Sequence, residues 1–317
     1  MPKKIFLGWS KGRGNPQPWL HFEVPSIMIS AFDFHLRNGE SAKASETLGF
    51  GGEIFCDSGG YQYISTTQSI TSDQALHVQR QLGATLNAAL DHPFDPRKHL
   101  EYFRFYLESS QHNECFSFVP VVPQDLPSKF IREMVAAFPN PPLVAVGKIV
   151  PSLYPLADHR KVEKVLRNIR RIREFFPSAK LHALGVGGVT TAVLLFHLVD
   201  SIDTSSWLHD ARYGKMRLLG GGIAKASQPG SRPNRRLLDN LEDCGCPGCK
   251  GYGVEILTKR GIEGLQARAL HNAWVLLREQ DRINQMIEVG MYQTYVASRV
   301  TKSTWHRNFY DVVKRLL

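Results

Sequence analysis

The stretch EIFCDSGGYQYIS, residues 53–65, joins a short β-type run to an acid, two glycines and an aromatic residue. An ordinary hairpin would place Asn-Gly or Asp-Gly between two strands. Here the chain continues through polar residues into a helical pattern, SDQALHVQRQLG (72–83). The stretch therefore predicts a strand that ends with a carboxylate, Asp57, at an open edge of a sheet.

Short β-type runs alternate with helical patterns along most of the chain. The predicted strands are KIFLGW (4–9), SIMIS (26–30), EIFCD (53–57), TLNAALD (85–91), FSFVPVV (116–122), PLVAVG (142–147), KLHALGV (180–186) and DSIDTSS (200–206). Strands that alternate with helices in this way indicate parallel βαβ units. About eight such units in one chain favour a (β/α)8 barrel over an open doubly wound sheet.

Three acids occupy equivalent places in this pattern. Asp57, Asp91 and Asp203 each lie at or just past the end of a β-type run. In a (β/α)8 barrel the active site forms where the strands end. We therefore expect the three carboxylates to converge on one mouth of the barrel.

The charge balance points to a polyanionic partner. The chain of 317 residues is 43% apolar and has a net charge of +10. Lysines and arginines that neutralise phosphates release counterions, which favours nucleic-acid binding. Two basic clusters fall in predicted loops and are the candidate phosphate contacts: Arg212, Lys215 and Arg217, and then Arg232, Arg235 and Arg236. No apolar run reaches the roughly 18 residues of a membrane span, and no secretory signal is evident, so we expect a cytoplasmic protein without membrane contacts.

Three of the five cysteines form the pattern C-x-C-x2-C, at Cys244, Cys246 and Cys249. A disulfide is a poor explanation, because three neighbouring cysteines cannot all pair and the expected compartment is reducing. Three thiolates with one imidazole make a closed tetrahedral site of the structural zinc type. The pattern therefore predicts a structural Zn²⁺. Cys56 and Cys115, in apolar strand contexts, are expected to be core residues.

Four segments occur in an order that resembles the tRNA-guanine transglycosylase family. They are DSGGYQ (57–62), VGKIVPSL (146–153), VDSIDTSSW (199–207) and the cysteine cluster with a later histidine, His271. The resemblance implies a (β/α)8 barrel with a zinc-bearing insertion, in which His271 is the fourth ligand. We expect the barrel core at residues 1–225, the zinc-binding insertion at 226–290, and a helical segment at 291–317 that closes the barrel.

The resemblance also implies a reaction. A carboxylate attacks C1′ of a nucleoside, guanine leaves, and a second base displaces the covalent ester with retained configuration. The resemblance assigns the nucleophile to Asp203 and the proton shuttle to Asp57. A different alignment would place Ser206 at the nucleophile position, but no nearby base that could activate a serine is evident.

Base recognition is implied at the same mouth. Ser58, Gly59, Gly60 and Tyr61 follow Asp57, and Tyr61 matches an aromatic residue that stacks on the base. Asp91 matches the acid that reads the N–H edge of the base, with Asp95 as a weaker candidate. Further predicted base contacts come from Gln124 and from backbone groups at Gly147, Lys148 and Ile149.

Some departures from the family pattern bear on the substrate. Gln124 is displaced from the usual Val-Gln-Gly position, Lys148 replaces a usual glycine, and no C-terminal RNA-binding extension is evident. A compact, basic member of this kind resembles the branch that inserts a 7-deazaguanine such as preQ0 into DNA. The partners implied are DNA and a free 7-deazaguanine base. The alternatives are an enzyme that modifies tRNA and a silent partner subunit, and a homodimer or a larger modification complex is a further possibility.

Overall fold

The computed structural model describes residues 2–35, 43–60, 70–111, 116–149, 153, 159–219, 221–226, 241, 244–300 and 304–316. Within these residues the main body is a single parallel sheet, rolled so that its first and last strands in sequence are neighbours. The nine strand segments are β1 (Lys4–Gly8), β2 (Ser26–Ser30), β3 (Glu53–Asp57), β4 (Leu86–Ala88), β5 (Phe118–Val119), β6 (Val121–Pro123), β7 (Leu143–Gly147), β8 (Lys180–Ala183) and β9 (Ser201–Thr204).

The sheet closes through its fifth and sixth segments. β5 pairs with β4, β6 pairs with β7, and only Pro120 separates the two segments in sequence. Proline has no N–H for a strand ladder, which accounts for the break at this position. Counted as one interrupted strand, β5 and β6 complete a ring of eight, and the predicted (β/α)8 barrel is confirmed.

The strands read as apolar runs because both of their faces are covered. Every residue of β2 and of β7 is buried. Such runs are typical of parallel sheets that have helices on the outer face and packed side chains inside. Ile5, Ile27 and Val144, from three separate strands, have no solvent exposure and form part of this core.

Helices follow most of the strands and cover the barrel. Around the barrel they are Ala31–His35, Ala44–Leu48, Ser72–Leu82, Pro96–Gln111, Ser128–Ala137, His159–Phe175, Val189–Leu195 and Ser206–Arg212. The helix Ser72–Leu82 shows how the sequence sets such an element. Thr71 and Gln74 form a capping box at its start, and Gly83 ends it in the left-handed conformation. None of the helices in the described ranges has the length and apolar character that a bilayer span requires.

A smaller unit follows the last barrel strand. It comprises the antiparallel hairpin β10 (Lys215–Arg217) with β11 (Ile223–Lys225), the helix Pro247–Tyr252 and the 3-10 helix Val254–Thr258. Its own apolar cluster includes the three cysteines together with Met216 and Leu257. The packing of this unit therefore includes residues before position 226, the start predicted for the zinc-binding insertion.

The long helix Ile262–Glu288 returns the chain from this unit to the barrel. Gln280 Oε1 accepts a hydrogen bond of 2.6 Å from the Ile5 N–H, and Asn284 Oδ1 accepts one of 2.6 Å from the Lys3 N–H. These bonds fix the long helix against the start of β1. The helices Tyr292–Val300 and Thr304–Leu316 then pack on the outer helices Val189–Leu195 and His159–Phe175. The long helix thus holds the smaller unit to the start of the barrel.

Candidate active site and metal centre

Asp57 lies at the carboxyl end of β3, where Ser30 of β2 is its partner in register. Its Oδ2 accepts a hydrogen bond of 3.1 Å from the Gly59 N–H. The pKa of Asp57 is raised to about 7, first by burial and then by the negative charges of Asp91 and Asp203. The N–H groups of Gly59 and Ser58 act in the opposite sense. A carboxyl group with this pKa exchanges protons readily near neutral pH.

Glycines let the loop after β3 approach Asp91. A Cβ on Gly60 would lie 2.8 Å from Asp91 Oδ1 and 2.9 Å from its carbonyl oxygen. A Cβ on Gly147, at the end of β7, would lie 3.5 Å from Asp91 Oδ2. The loop after β3 also contains Gly59, which has a φ of +81°, and the fully buried Ser58, whose Oγ accepts a 3.4 Å bond from the Gly60 N–H. The structure thus brings Asp57, Asp91 and Gly147 together at one mouth.

Asp91 is the second perturbed acid of this mouth. Burial raises its pKa to about 6, and its own backbone N–H opposes that shift. Two carboxyl groups that are partly removed from water and lie within electrostatic reach do not both ionise freely. With a pKa of about 7, Asp57 is protonated for a large part of the time at neutral pH.

Asp203 is the last but one residue of β9, and it is 9% exposed. Its Oδ1 accepts a hydrogen bond of 2.7 Å from the Gly185 N–H and lies 3.2 Å from His182 Nε2. Ser206, the alternative nucleophile, begins the helix Ser206–Arg212, and its Oγ lies 2.6 Å from Thr204 Oγ1. The negative charge of Asp203 raises the pKa of Asp57, so the two carboxylates lie within electrostatic reach of each other.

Sequence reasoning missed His182. It lies within the predicted strand KLHALGV and is fully buried. In the sheet it is the register partner of Ser201 on β9. A histidine in an otherwise apolar run was the signal that could have pointed to it.

Lys148 follows β7 directly and has a positive φ of 61°, the single such value among the non-glycine residues described. Its Nζ lies 2.7 Å from Asp125 Oδ2 and 5.1 Å from the centroid of the Phe94 ring. Most residues avoid this left-handed conformation because the Cβ then crowds the backbone. The side chain of Lys148 is therefore held on the rim by Asp125, while its backbone follows Gly147 in the mouth.

Gln124 and Asp95 have structural partners that differ from the predicted roles. The Gln124 Oε1 accepts a hydrogen bond of 2.6 Å from Asn168 Nδ2, on the outer helix His159–Phe175. Its side chain thus lies against the helix layer, which does not fit the predicted contact with the base. Asp95 Oδ1 accepts bonds from the N–H groups of Arg97 and Lys98, so it caps the helix Pro96–Gln111.

The predicted phosphate contacts divide into two groups. Arg212 is exposed and donates a hydrogen bond of 2.9 Å to Asn15 Oδ1. The Nζ atom of Lys215 lies 5.9 Å from the centroid of the Tyr213 ring. Arg217 instead is 2% exposed and forms a 2.6 Å ion pair with Asp210. The prediction for Arg217 is corrected accordingly, because a buried and paired guanidinium is not presented to a phosphate. Tyr61, Arg232, Arg235 and Arg236, like Cys115, lie outside the described residues.

The three clustered cysteines meet His271 of the long helix. All four residues are buried, and their ligand atoms lie within 4.8 Å of one another. His271 Nδ1 lies 3.6, 3.3 and 3.5 Å from the Sγ atoms of Cys244, Cys246 and Cys249. A tetrahedron with the bond lengths usual for zinc has N···S edges of about 3.5 Å. The residues present therefore fit a structural zinc ion, as predicted.

A hydrogen bond on the far side of the imidazole ring supports this assignment. His271 Nε2 donates to the Arg217 carbonyl oxygen at 2.8 Å, which leaves Nδ1 free to bind metal. The Cys249 N–H lies 3.1 Å from Cys246 Sγ, as expected for a thiolate ligand that accepts backbone bonds. These hydrogen bonds thus orient two of the four candidate ligands, His271 and Cys246.

Comparison with known proteins gives one consistent set of relatives. No family model matches the chain. It is 26% identical over 285 residues to the tRNA-guanine(15) transglycosylase of Pyrococcus abyssi, and 25% identical over 284 residues to that of Pyrococcus furiosus. Each match covers 85% of this chain and 45% of the relative. The enzyme of the same name from Methanosarcina mazei is 26% identical over 291 residues, which cover 86% of this chain and 54% of that protein.

The chain thus spans about half the length of the curated relatives that it matches. The similarity covers most of the barrel and is accompanied by acids at three strand ends and a Cys3His cluster. The DNA-modifying branch is not represented among these relatives. The chain is therefore similar, at 25–26% identity, to tRNA-guanine(15) transglycosylases over about half of their length.

Proposed function

We propose that this protein is a guanine transglycosylase, which exchanges a guanine of a nucleic acid for a 7-deazaguanine base. The observation that carries the proposal is the group of three carboxylates at one mouth, in which Asp91 and Asp203 raise the pKa of Asp57. Each residue matches a role that the reaction needs: a nucleophile, a proton shuttle and a reader of the base edge.

In the first half of the reaction, Asp203 attacks C1′ of the target nucleoside and the bond from C1′ to N9 of guanine breaks. Asp57 donates its proton to the departing base, as its raised pKa permits at neutral pH. In the second half, N9 of the incoming base attacks C1′ from the opposite face. Asp57 takes the N–H proton of that base, and the bond from C1′ to Asp203 breaks. Two inversions leave the configuration at C1′ unchanged.

Transfer RNA is the substrate that the relatives support, since all three compared above are tRNA-guanine(15) transglycosylases by name. DNA is the second candidate. It is favoured by Lys148 at a position where the family usually has glycine and by the displaced Gln124. In either polymer the target base must leave the stack before C1′ is accessible. The exposed Arg212 and the half-buried Lys215 are proposed to contact phosphates.

The experiment is base exchange with radiolabelled guanine, offered separately with tRNA and with duplex and single-stranded DNA. We expect label to enter one class of polymer. Asp203→Asn should abolish incorporation and the covalent adduct that denaturing gels detect in the wild-type protein. Asp57→Asn should slow the exchange by about 100-fold or more.

Asp281→Asn is the matched control, because it makes the same chemical change on the exposed face of the long helix. This variant should exchange guanine at the wild-type rate. Label in tRNA alone would exclude DNA as the substrate, and label in DNA alone would exclude tRNA. If Asp203→Asn kept full activity, the proposed mechanism would be refuted.

A further inference from the structure

A buried histidine lies directly beside the candidate nucleophile. His182 Nε2 is 3.2 Å from Asp203 Oδ1, and His182 Nδ1 is 2.9 Å from Ser201 Oγ. Ser201 and His182 are register partners on β9 and β8, so the backbone itself sets this contact. The three side chains form one row from the barrel interior to its mouth.

Two aromatic rings hold the imidazole ring of His182 in place. The rings of Phe6 and Phe55 pack edge-to-face on it, with centroids 5.4 and 4.9 Å away. In such an apolar place an unpaired ring nitrogen would cost about 1–3 kcal/mol, so both nitrogens need their partners. A carboxylate only accepts hydrogen bonds. The Nε2 atom therefore carries the proton that faces Asp203, and in the neutral ring Nδ1 accepts from the Ser201 hydroxyl.

These contacts leave the two oxygens of Asp203 in different states. Oδ1 accepts from the Gly185 N–H at 2.7 Å and from His182, and neither bond uses Oδ2. We propose that His182 is a positioning residue, which together with Gly185 holds Oδ1 so that Oδ2 is the atom that attacks C1′. This inference rests on the proposed function and assigns a role to a residue that the sequence did not single out.

The reaction then balances without a change at His182. The bond from Oδ2 to C1′ forms as the bond from C1′ to N9 of guanine breaks, and Asp57 supplies the proton that the base gains. In the second displacement the bond from Oδ2 to C1′ breaks, and the negative charge returns to Asp203. His182 keeps its proton throughout, and its donor stabilises the carboxylate as it leaves.

The first test compares His182→Leu with His182→Gln. We expect His182→Leu to lower kcat for base exchange by about 100-fold, because a mispositioned nucleophile loses alignment with C1′. The KM for the nucleic acid should change by less than about twofold, since His182 does not contact it. Glutamine retains an N–H donor, so the kcat of His182→Gln should be about tenfold higher than that of His182→Leu.

His197→Leu is the matched control, since it removes another largely buried histidine, which packs on Tyr292 away from the mouth. Its kcat should equal that of the wild-type protein, and thermal unfolding should show that all variants fold. The proposal is overturned if folded His182→Leu keeps a kcat within about threefold of wild type, or if its loss lies wholly in KM.

A second test does not depend on activity. Nitrogen-15 NMR of the histidine rings should show His182 protonated at Nε2, and the Nε2 resonance should move in Asp203→Ala. A proton on Nδ1 alone, or an Nε2 resonance that ignores Asp203→Ala, would refute the contact. If the wild-type protein exchanges no base with any polymer, the proposed function fails, and this measurement still decides whether His182 holds Asp203.

Discussion

At the scale of single residues, the candidate site is a group of acids kept partly away from water. Burial alone raises the pKa of Asp91. The pKa of Asp57 is raised by burial and also by the negative charges of Asp91 and Asp203. Keeping like charges together in a partly desolvated place opposes folding at neutral pH. The chain retains them nonetheless, which is typical of sites where function and stability conflict.

The first prediction concerns stability. The pKa of Asp57 rises from 3.8 to about 7 on folding, so between these pH values the folded protein binds more protons than the unfolded chain. The contribution of Asp57 to the free energy of unfolding therefore falls as pH rises through that window. Asp57→Asn removes this loss. The difference in free energy of unfolding, variant minus wild type, should therefore be larger at pH 8 than at pH 4 by about 4 kcal/mol.

Urea unfolding of both proteins at the two pH values measures this difference, with Asp281→Asn as the control for an exposed carboxylate. A gap between wild type and Asp57→Asn that does not vary with pH would show that Asp57 is not a perturbed acid.

The second prediction concerns rate. If Asp57 donates a proton to the departing guanine, only its protonated form is active in that step. Single-turnover release of guanine should then fall above pH of about 7, the raised pKa of Asp57. The Asp57→Asn variant should release guanine slowly, and its rate should not fall above this pH. A release rate that stayed flat from pH 6 to about 9 in the wild-type protein would contradict the assignment.

At the scale of elements, the ends of parallel strands organise the site. Asp57 is the last residue of β3, Asp203 is the last but one of β9, and Gly147 ends β7 beside Asp91. Because all barrel strands run in one direction, residues far apart in sequence arrive at the same mouth. The backbone at these ends is unusual, as the positive φ of Lys148 shows. Strain at such a position is often linked to function.

A third prediction follows for this segment. Lys148→Ala removes the ion pair with Asp125 and keeps the left-handed backbone, whereas Lys148→Gly also relieves the crowding of the Cβ. We expect Lys148→Gly to be more stable than Lys148→Ala by about 1 kcal/mol, despite the greater freedom of glycine in the unfolded chain. Chemical denaturation of the two variants measures the difference. If the left-handed conformation carried no strain, Lys148→Gly would instead be less stable than Lys148→Ala, because glycine has the greater freedom in the unfolded chain.

At the scale of the whole molecule, two apolar cores are joined by a few buried polar groups. Arg217 connects them: its N–H donates to Asn272 Oδ1, its carbonyl accepts from His271, and its guanidinium pairs with Asp210. His271, the candidate metal ligand, thus belongs to the same helix that anchors β1 through Gln280. The long helix therefore joins the candidate metal site to the barrel.

A fourth prediction addresses the metal. Cys246→Ser should reduce bound zinc from about one ion per chain to a small fraction, because three ligands remain where four are needed. Its thermal midpoint should fall by about 10 °C or more, as expected when a structural metal is lost from a small core. Elemental analysis and thermal unfolding measure the two effects. Cys56→Ala, which alters a buried cysteine of β3 that lies outside the cluster, should keep its zinc.

Much of this architecture was predictable from local patterns. Apolar runs between helical periods predicted the barrel, and the C-x-C-x2-C spacing predicted the zinc site. The strand-end acids were found because each follows a β-type run directly. Arg217 shows where such reasoning fails: a basic residue in a Gly-rich stretch resembles a phosphate contact, and only the packing against Asp210 shows that it is buried. His182 was missed for a related reason, since its partners lie on the neighbouring strand.

Local sequence patterns were enough to predict the order of strands and helices, the three acids at strand ends and the cysteine cluster, because each depends on residues that are close together in the chain. Which of these groups meet depends on the folded barrel. The closeness of Asp57 and Asp91, the row of Ser201, His182 and Asp203, and the burial of Arg217 all depend on contacts between separate strands and helices. Contacts of this kind form only when the barrel closes and its core packs, so local sequence patterns do not predict them.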